Sequence, residues 1–344
     1  MPIIFGAFGS ESKSLLEPAI RFPPVSVPMT GHKLPARNAN SMSPTSNQLE
    51  FDVEKYVRNS KKVDISDIDL SQAANYPISD DEVRALTYMC DIESHTIVYL
   101  RAILNTCAVE DAQTTSFLSC WAYEEFFHGH TIRQFLDAIG APVSPTRMLE
   151  VQKASSLTEW LKEMGSSILC RFSRHFHGAY LTYGAISELS TLEGYGVMAR
   201  RTQNPILAEV VRRLAKDERR HFSFYFNKAR LELQHKNAQR LTNFVIRNFW
   251  LPVGGGVKPD GEVSWILSFI LGDPEGAEIA NRIDTTIAKL PGLEWFDRLV
   301  RSRDEALQEV GRLSRAANQE AVCGLHSRRV ELKPPVLEWT VSQN

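Results

Sequence analysis

The chain reads as an all-α bundle, and three observations carry that reading. Apolar residues recur with helical spacing over most of residues 80 to 316, no segment shows the strict alternation of a half-buried strand, and capping and stop signals punctuate the periodic stretches. Composition agrees with a soluble globular protein: 43% of the 344 residues are hydrophobic and 23% are charged. The formal charge of −2 gives no global pull towards nucleic acid or an anionic membrane, and no apolar run approaches the roughly 20 residues of a membrane span. Five scattered cysteines form no C-x-x-C pair, which argues for a reducing compartment and against a disulfide framework or a cysteine zinc site. A cytoplasmic location is the expectation.

In order along the chain, residues 1–46 hold seven Pro and seven Ser with little periodicity and read as a flexible arm. The helical domain is expected over 47–318, with a tail over 319–344. A short helix near 49–60 precedes one that opens at PISDDE, with Ser79 or Asp80 as cap, and runs to about Cys107. The next covers about 111–139 and stops at Gly140, with Pro142 close behind. A piece around 146–164 bridges to a long helix over about 168–202. Asn204-Pro205 turns the chain into another helix ending near 237. Shorter helices follow near 239–251, 262–271, 275–289 and 293–316, and PVGGGVKPDGE must be a loop.

Charge sits where this pattern wants burial. Three Glu-x-x-His pairs occur: Glu125/His128, Glu218/His221 and Glu232/His235. One such pair means little, but residues i and i+3 share a helical face and can aim a carboxylate and an imidazole at one point. Glu125 and His128 lie on the stripe of Trp121, Ile132 and Phe135, and Glu218 and His221 on that of Val211, Leu214 and Tyr225. Glu93 interrupts the stripe of Leu86, Met89, Ile97 and Leu100; Glu188 interrupts that of Leu181, Gly184, Thr191 and Tyr195. An unpaired charge in any of these places costs several kcal/mol.

Heights decide between the pairs. At about 1.5 Å per residue, Glu93 and Glu125 both lie roughly 24 Å from the turn near residue 109, so they face each other. Glu188 is about 16 residues before the turn near 204, and Glu218 and His221 are about 14 and 17 after it, so these are level too. Glu232/His235 has no opposing carboxylate and is read as a decoy. Two hairpins, each with one lone Glu and one Glu-x-x-His, make the donor set of ferritin-like di-iron or di-manganese bundles. The expected metal ligands are Glu93, Glu125, His128, Glu188, Glu218 and His221, around two iron ions, with manganese compatible in one position. Glu124 faces about 100° away from Glu125 and is expected behind the site or at the surface. The basic run Arg212, Arg213, Lys216, Arg219, Arg220 reads mainly as a solvated face, or as a dock for an acidic partner.

The same residues carry a resemblance. CWAYEEFFHG is similar to the W-x-x-E-E-x-R-H-G segment of the soluble acyl-acyl carrier protein desaturases, AKDERRHF to their A-D-E-K-R-H-E segment, and SELSTLEGYG to their E-x-x-T helix. The likeness covers roughly residues 80 to 230. It implies a ferritin-like four-helix core with additional helices, the six ligands above, Thr191 beside the oxygen site and Asp217 behind a ligating histidine. It further implies an O2-dependent di-iron oxidoreductase acting on C–H bonds of a carrier-bound acyl chain, with an acyl carrier protein and a ferredoxin-like electron donor as partners, and a homodimer.

Phe127 departs from the family pattern, replacing its Arg between Glu and His. The family's tryptophan upstream of the first ligand helix has no counterpart, since the first Trp is Trp121. Ile132 stands where ribonucleotide reductase small subunits keep a tyrosine, and Leu214 where the arylamine N-oxygenating type has an extra histidine. A hydroxylase or N-oxygenase acting on a small metabolite stays open, as does a non-catalytic iron-binding bundle.

Overall fold

A computed structural model describes residues 51–104, 107–144, 146–147 and 175–330. The expected arm over 1–46, most of the bridging piece at 146–164 and the last part of the tail, 331–344, lie outside the described residues. Among those described there is no strand, only an isolated bridge between Gly255 and Lys258.

Four long helices form the core. The short α1 (Val53–Asn59) is capped by Asp52, whose carboxylate accepts from Lys55 N. A 3-10 turn at Leu70–Asn75, not anticipated from periodicity, precedes α2 (Asp80–Ile103). Ser79 and Glu82 close a capping box there: Ser79 Oγ accepts from Glu82 N, and Ser79 N donates to the Glu82 carboxylate. The helix ends at Ile103, about a turn earlier than its periodicity suggests, and Cys107–Glu110 makes a second 3-10 turn. Asp111 then caps α3 (Ala112–Ala138), which stops before Gly140 at φ 79°.

From residue 175 the chain forms α4 (Phe176–Arg201) and returns as α5 (Pro205–Glu232). Asn204 makes that reversal compact. Its side-chain oxygen accepts from Ile206 N and Leu207 N, its amide donates to Ala73 O, and Pro205 occupies the first turn. The principal packing is pairwise, α2 on α3 and α4 on α5, with α3 against α5 joining the hairpins. Between α2 and α3 the approach is close: a Cβ on Gly129 would lie 2.8 Å from Ser94 Oγ and 3.3 Å from Glu93 Cβ.

The remaining helices, α6 (Lys236–Phe249), α7 (Asp260–Leu271), α8 (Pro274–Ile287) and α9 (Arg298–Val330), wrap the bundle through α6 and α8 on α4, and α7 on α2 and α4. Helix α5 ends at Glu232 rather than near 237, because the chain turns at Leu233–His235. Helix α9 continues as backbone helix to Val330, past the residue where the sequence period fades. Between α6 and α7 the loop packs so tightly that a Cβ on Gly254, at φ 85°, would fall 1.9 Å from the Tyr88 hydroxyl oxygen. No helix among the described residues is long and apolar enough to cross a membrane.

Candidate metal centre

All six expected donors meet in the middle of the bundle, and all are buried. Glu93, Glu125, His128 and Glu218 form one group whose donor atoms lie within 4.8 Å of one another; Glu125, Glu188, Glu218 and His221 form a second. Glu125 and Glu218 belong to both groups, so they occupy the middle, with Glu93 and His128 at one end and Glu188 and His221 at the other. That is the order needed to hold two cations with two shared carboxylates.

Both imidazoles turn the same atom inward. His128 Nδ1 lies 3.0 Å from Glu218 Oε1 and 3.8 Å from Glu125 Oε2. His221 Nδ1 lies 2.9 Å from Glu125 Oε1 and 3.4 Å from both Glu188 Oε2 and Glu218 Oε2. Yet His128 Nδ1, Glu125 Oε1 and Glu218 Oε1 are buried without a hydrogen-bond partner. Lone pairs crowded together, out of water and poorly aligned for hydrogen bonds fit cation coordination, and the hard carboxylates with two imidazoles suit iron or manganese.

Electrostatics agree. Burial first, and then the neighbouring carboxylates, raise Glu93 well above the usual carboxylate range; burial and Glu218 raise Glu125, and burial pushes Glu188 up to about 8. Burial would raise Glu218 as well, but its contacts with His128 and His221 outweigh it and hold that carboxyl low. Burial opposes charge on His128, yet its bonds to Asp217 and Glu218 keep its pKa well above the ordinary value. His221 behaves likewise among Tyr56, Glu124, Glu125 and Glu188. A cluster of four acids this deep is stable only with positive charge among them. Without metal, protons supply it; two divalent cations match four carboxylates while leaving both imidazoles neutral.

A second layer of side chains holds the donors. The Tyr195 hydroxyl donates to Glu93 Oε1, and Trp121 Nε1 donates to Glu188 Oε1 at 3.1 Å. Behind the histidines, His128 Nε2 meets Asp217 Oδ2 at 3.3 Å, and His221 Nε2 meets Glu124 Oε2 at 2.8 Å. Such outer carboxylates orient an imidazole and strengthen it as a donor. Glu124 is therefore wholly buried behind the site rather than at the surface. Its role had a readable signal, since it precedes Glu125 as Asp217 precedes Glu218. Tyr56 and Tyr195, far away in sequence from the residues they hold, had none.

The other expectations sort cleanly. Ile97, placed on the apolar stripe of its helix, is exposed. Glu232 pairs with His177 at 3.5 Å, away from the donor cluster. In the basic run, Arg212, Lys216 and Arg219 are exposed, Arg213 pairs with Asp67 and Glu209, and Arg220 turns inward to Glu124 and Asp217.

Beside Glu93 opens an apolar cavity of about 80 Å³. Thr191 lines it along with Glu93, and its far wall comes from Ile266 and Ile270 of α7, Ile283 of α8 and Leu299 of α9. Pro252 and Val253 close one side. They are fixed by the Tyr88 hydroxyl, which donates to Val253 O at 2.8 Å, and by Lys258, whose ammonium reaches buried Asp91 at 2.7 Å. Asp91 also takes a two-pronged contact from Arg147, at 2.6 and 3.0 Å.

Two solved structures of an R2-like ligand-binding oxidase with an aerobically reconstituted Mn/Fe cofactor share the arrangement distantly. Each is 14% identical at a TM-score of 0.45; one alignment covers 75% of this chain and 93% of that one, the other 78% and 98%. No curated protein matches the sequence. The family model for fatty acid desaturases matches residues 92–252, a span that includes all six donors, Thr191, Asp217 and the loop residues Pro252 and Leu251. Across its ligand-bearing helices, the chain is similar to the fatty acid desaturase family.

Proposed function

We propose that the protein is an O2-dependent di-iron oxidoreductase that removes hydrogen from an unactivated C–H bond of a carrier-bound acyl chain. The observation that carries this reading is the apolar cavity meeting the donor cluster at Glu93 and Thr191. The family match supports the di-iron oxidoreductase chemistry, and the cavity favours an apolar chain as substrate.

Glu125 and Glu218 would be shared between two irons, with Glu93 and His128 completing one position and Glu188 and His221 the other. When bound, the irons supply the activation of O2 that such a C–H bond requires. Desaturation then consumes one O2, two electrons and two protons, and yields an alkene and two waters; a ferredoxin-like donor would provide the electrons. The chain's own residues position and protect. Asp217 and Glu124 accept from the Nε2–H of each histidine, which keeps Nδ1 free to coordinate. Ile266, Ile270 and Leu299 exclude water and align an alkyl segment past Glu93. The Thr191 hydroxyl, on the cavity side, can hold a proton at Oγ1 beside the first metal position. Exposed Arg212, Lys216 and Arg219 offer cations that an acidic carrier protein would meet.

The test is anaerobic loading with ferrous iron, addition of O2, and mass analysis of saturated acyl-carrier substrates. Loss of two hydrogens from the chain supports the reading. Gain of an oxygen would make the protein a hydroxylase. Consumption of O2 with every acyl chain unchanged would overturn the substrate class.

A further inference from the structure

The donor helices carry a five-residue repeat: Glu124-Glu125-Phe126-Phe127-His128 on α3, and Asp217-Glu218-Arg219-Arg220-His221 on α5. In each, an acid precedes the donor Glu and backs the histidine of the other helix. The symmetry fails at one place. Arg220 stands before His221, but Phe127 stands before His128 and packs instead against Tyr123, Phe126 and His130. One guanidinium must therefore serve both backing acids. A single terminal nitrogen of Arg220 lies 2.9 Å from Glu124 Oε1 and 2.7 Å from Asp217 Oδ1.

The two acids are not served equally. Glu124 is fully buried and also accepts from the Tyr56 hydroxyl at 2.6 Å and Lys61 N at 3.3 Å. Asp217 has a side chain 13% exposed, receives only Arg220 and His128 among the printed contacts, and stands farther from its imidazole, at 3.3 Å against 2.8 Å. Tyr56 is itself buried on α1, with its ring against Phe117 and the Arg220 guanidinium 5.3 Å from its ring centre. A backing carboxylate that is fixed and close makes its imidazole the stronger donor.

We propose that Tyr56 and Arg220 are positioning residues that make the two metal positions unequal, so that the position of Glu188 and His221 binds a divalent cation more tightly and fills first. Arg220 acts on both positions through the two backing acids, and Tyr56 acts on one. The inference rests on the two-metal reading of the cluster and is independent of the substrate.

Anaerobic titration of the metal-free full-length chain with cobalt(II), followed by calorimetry and visible absorption, tests it. Two separable steps are expected, the first lost in Glu188→Ala and the second in Glu93→Ala. Tyr56→Phe, which deletes one hydroxyl, should weaken the first step about 10- to 100-fold and leave the second in place, narrowing the gap between them. Arg220→Gln should weaken both, with Arg220→Lys restoring only part, because an ammonium lacks the fork of donors. A general loss of packing would lower the melting temperature without moving the ratio of the two constants. Two indistinguishable steps in the wild type, a first step lost in Glu93→Ala, or an equal shift of both steps in Tyr56→Phe would each overturn the inference. A chain that binds fewer than two cobalt ions would instead remove the two-metal reading beneath it.

Discussion

The four helices α2 to α5 and the wrapping helices α6 to α9 are built from the same apolar residue types but do opposite things with their interiors. The first set buries four carboxylates and two imidazoles along its stripes. The second buries Ile266, Ile270, Ile283 and Leu299 against a void, and its one buried acid, Asp284, accepts from Leu299 N and Val300 N at the start of α9. Reactivity is therefore concentrated in one layer and shape in the other. A substitution in the bundle should change whether chemistry occurs, and one in the wrap should change which chain it occurs on.

The largest expected effect separates the layers most sharply. Glu218→Ala removes a carboxylate common to both donor groups, so both metals should be lost in metal analysis and O2 consumption should disappear. Retention of either metal would mean Glu218 is not shared. Next is the response of the metal-free protein to pH. Burial places the Glu188 pKa near 8, above its ordinary 4.5, so its protonated form favours the fold. That stabilisation is complete below about 4.5 and is lost as pH rises to about 8. Melting temperature of the metal-free chain should fall across this window, less so in Glu188→Gln, and the metal-loaded wild type should not show the fall. A metal-free chain equally stable at both ends would refute the buried-acid account.

Smaller effects belong to the wrap. Ile270→Phe fills part of the cavity and should cost about 1–3 kcal/mol by overpacking. Metal content should stay at two, while long acyl substrates lose turnover relative to short ones; an unchanged chain-length profile would place the substrate elsewhere. Smallest is Asp284→Ala, which removes two acceptors from the start of α9 and should cost about 1 kcal/mol in denaturant melts, with metal content untouched.

This division also governs what the sequence could reveal. The bundle was legible because a carboxylate on an apolar stripe is a local contradiction, and because helical rise converts residue counts into height. Glu93, Glu125, Glu188 and Glu218 announce themselves within a few residues of their own positions. Tyr56 does not, since its partner Glu124 lies 68 residues away and an aromatic on a short helix has an ordinary packing explanation. Tyr195 lies 102 residues from Glu93 and is equally silent. The cavity is less legible still. Ile266, Ile283 and Leu299 look like any core residues, and only the distance between packed helices makes a space of them. The early end of α2 reflects the same limit, because apolar periodicity runs on through a turn that the 3-10 segment at Cys107–Glu110 interrupts.

The central claim is that two hairpins bring six side chains around two metal ions. X-ray absorption at the iron edge, on wild-type protein loaded anaerobically and counted by metal analysis, tests it most directly. The account predicts two irons per chain, an oxygen- and nitrogen-donor shell without sulfur, and a second iron in the outer scattering. One iron per chain, a sulfur shell, or an unchanged spectrum in Glu218→Ala would contradict it.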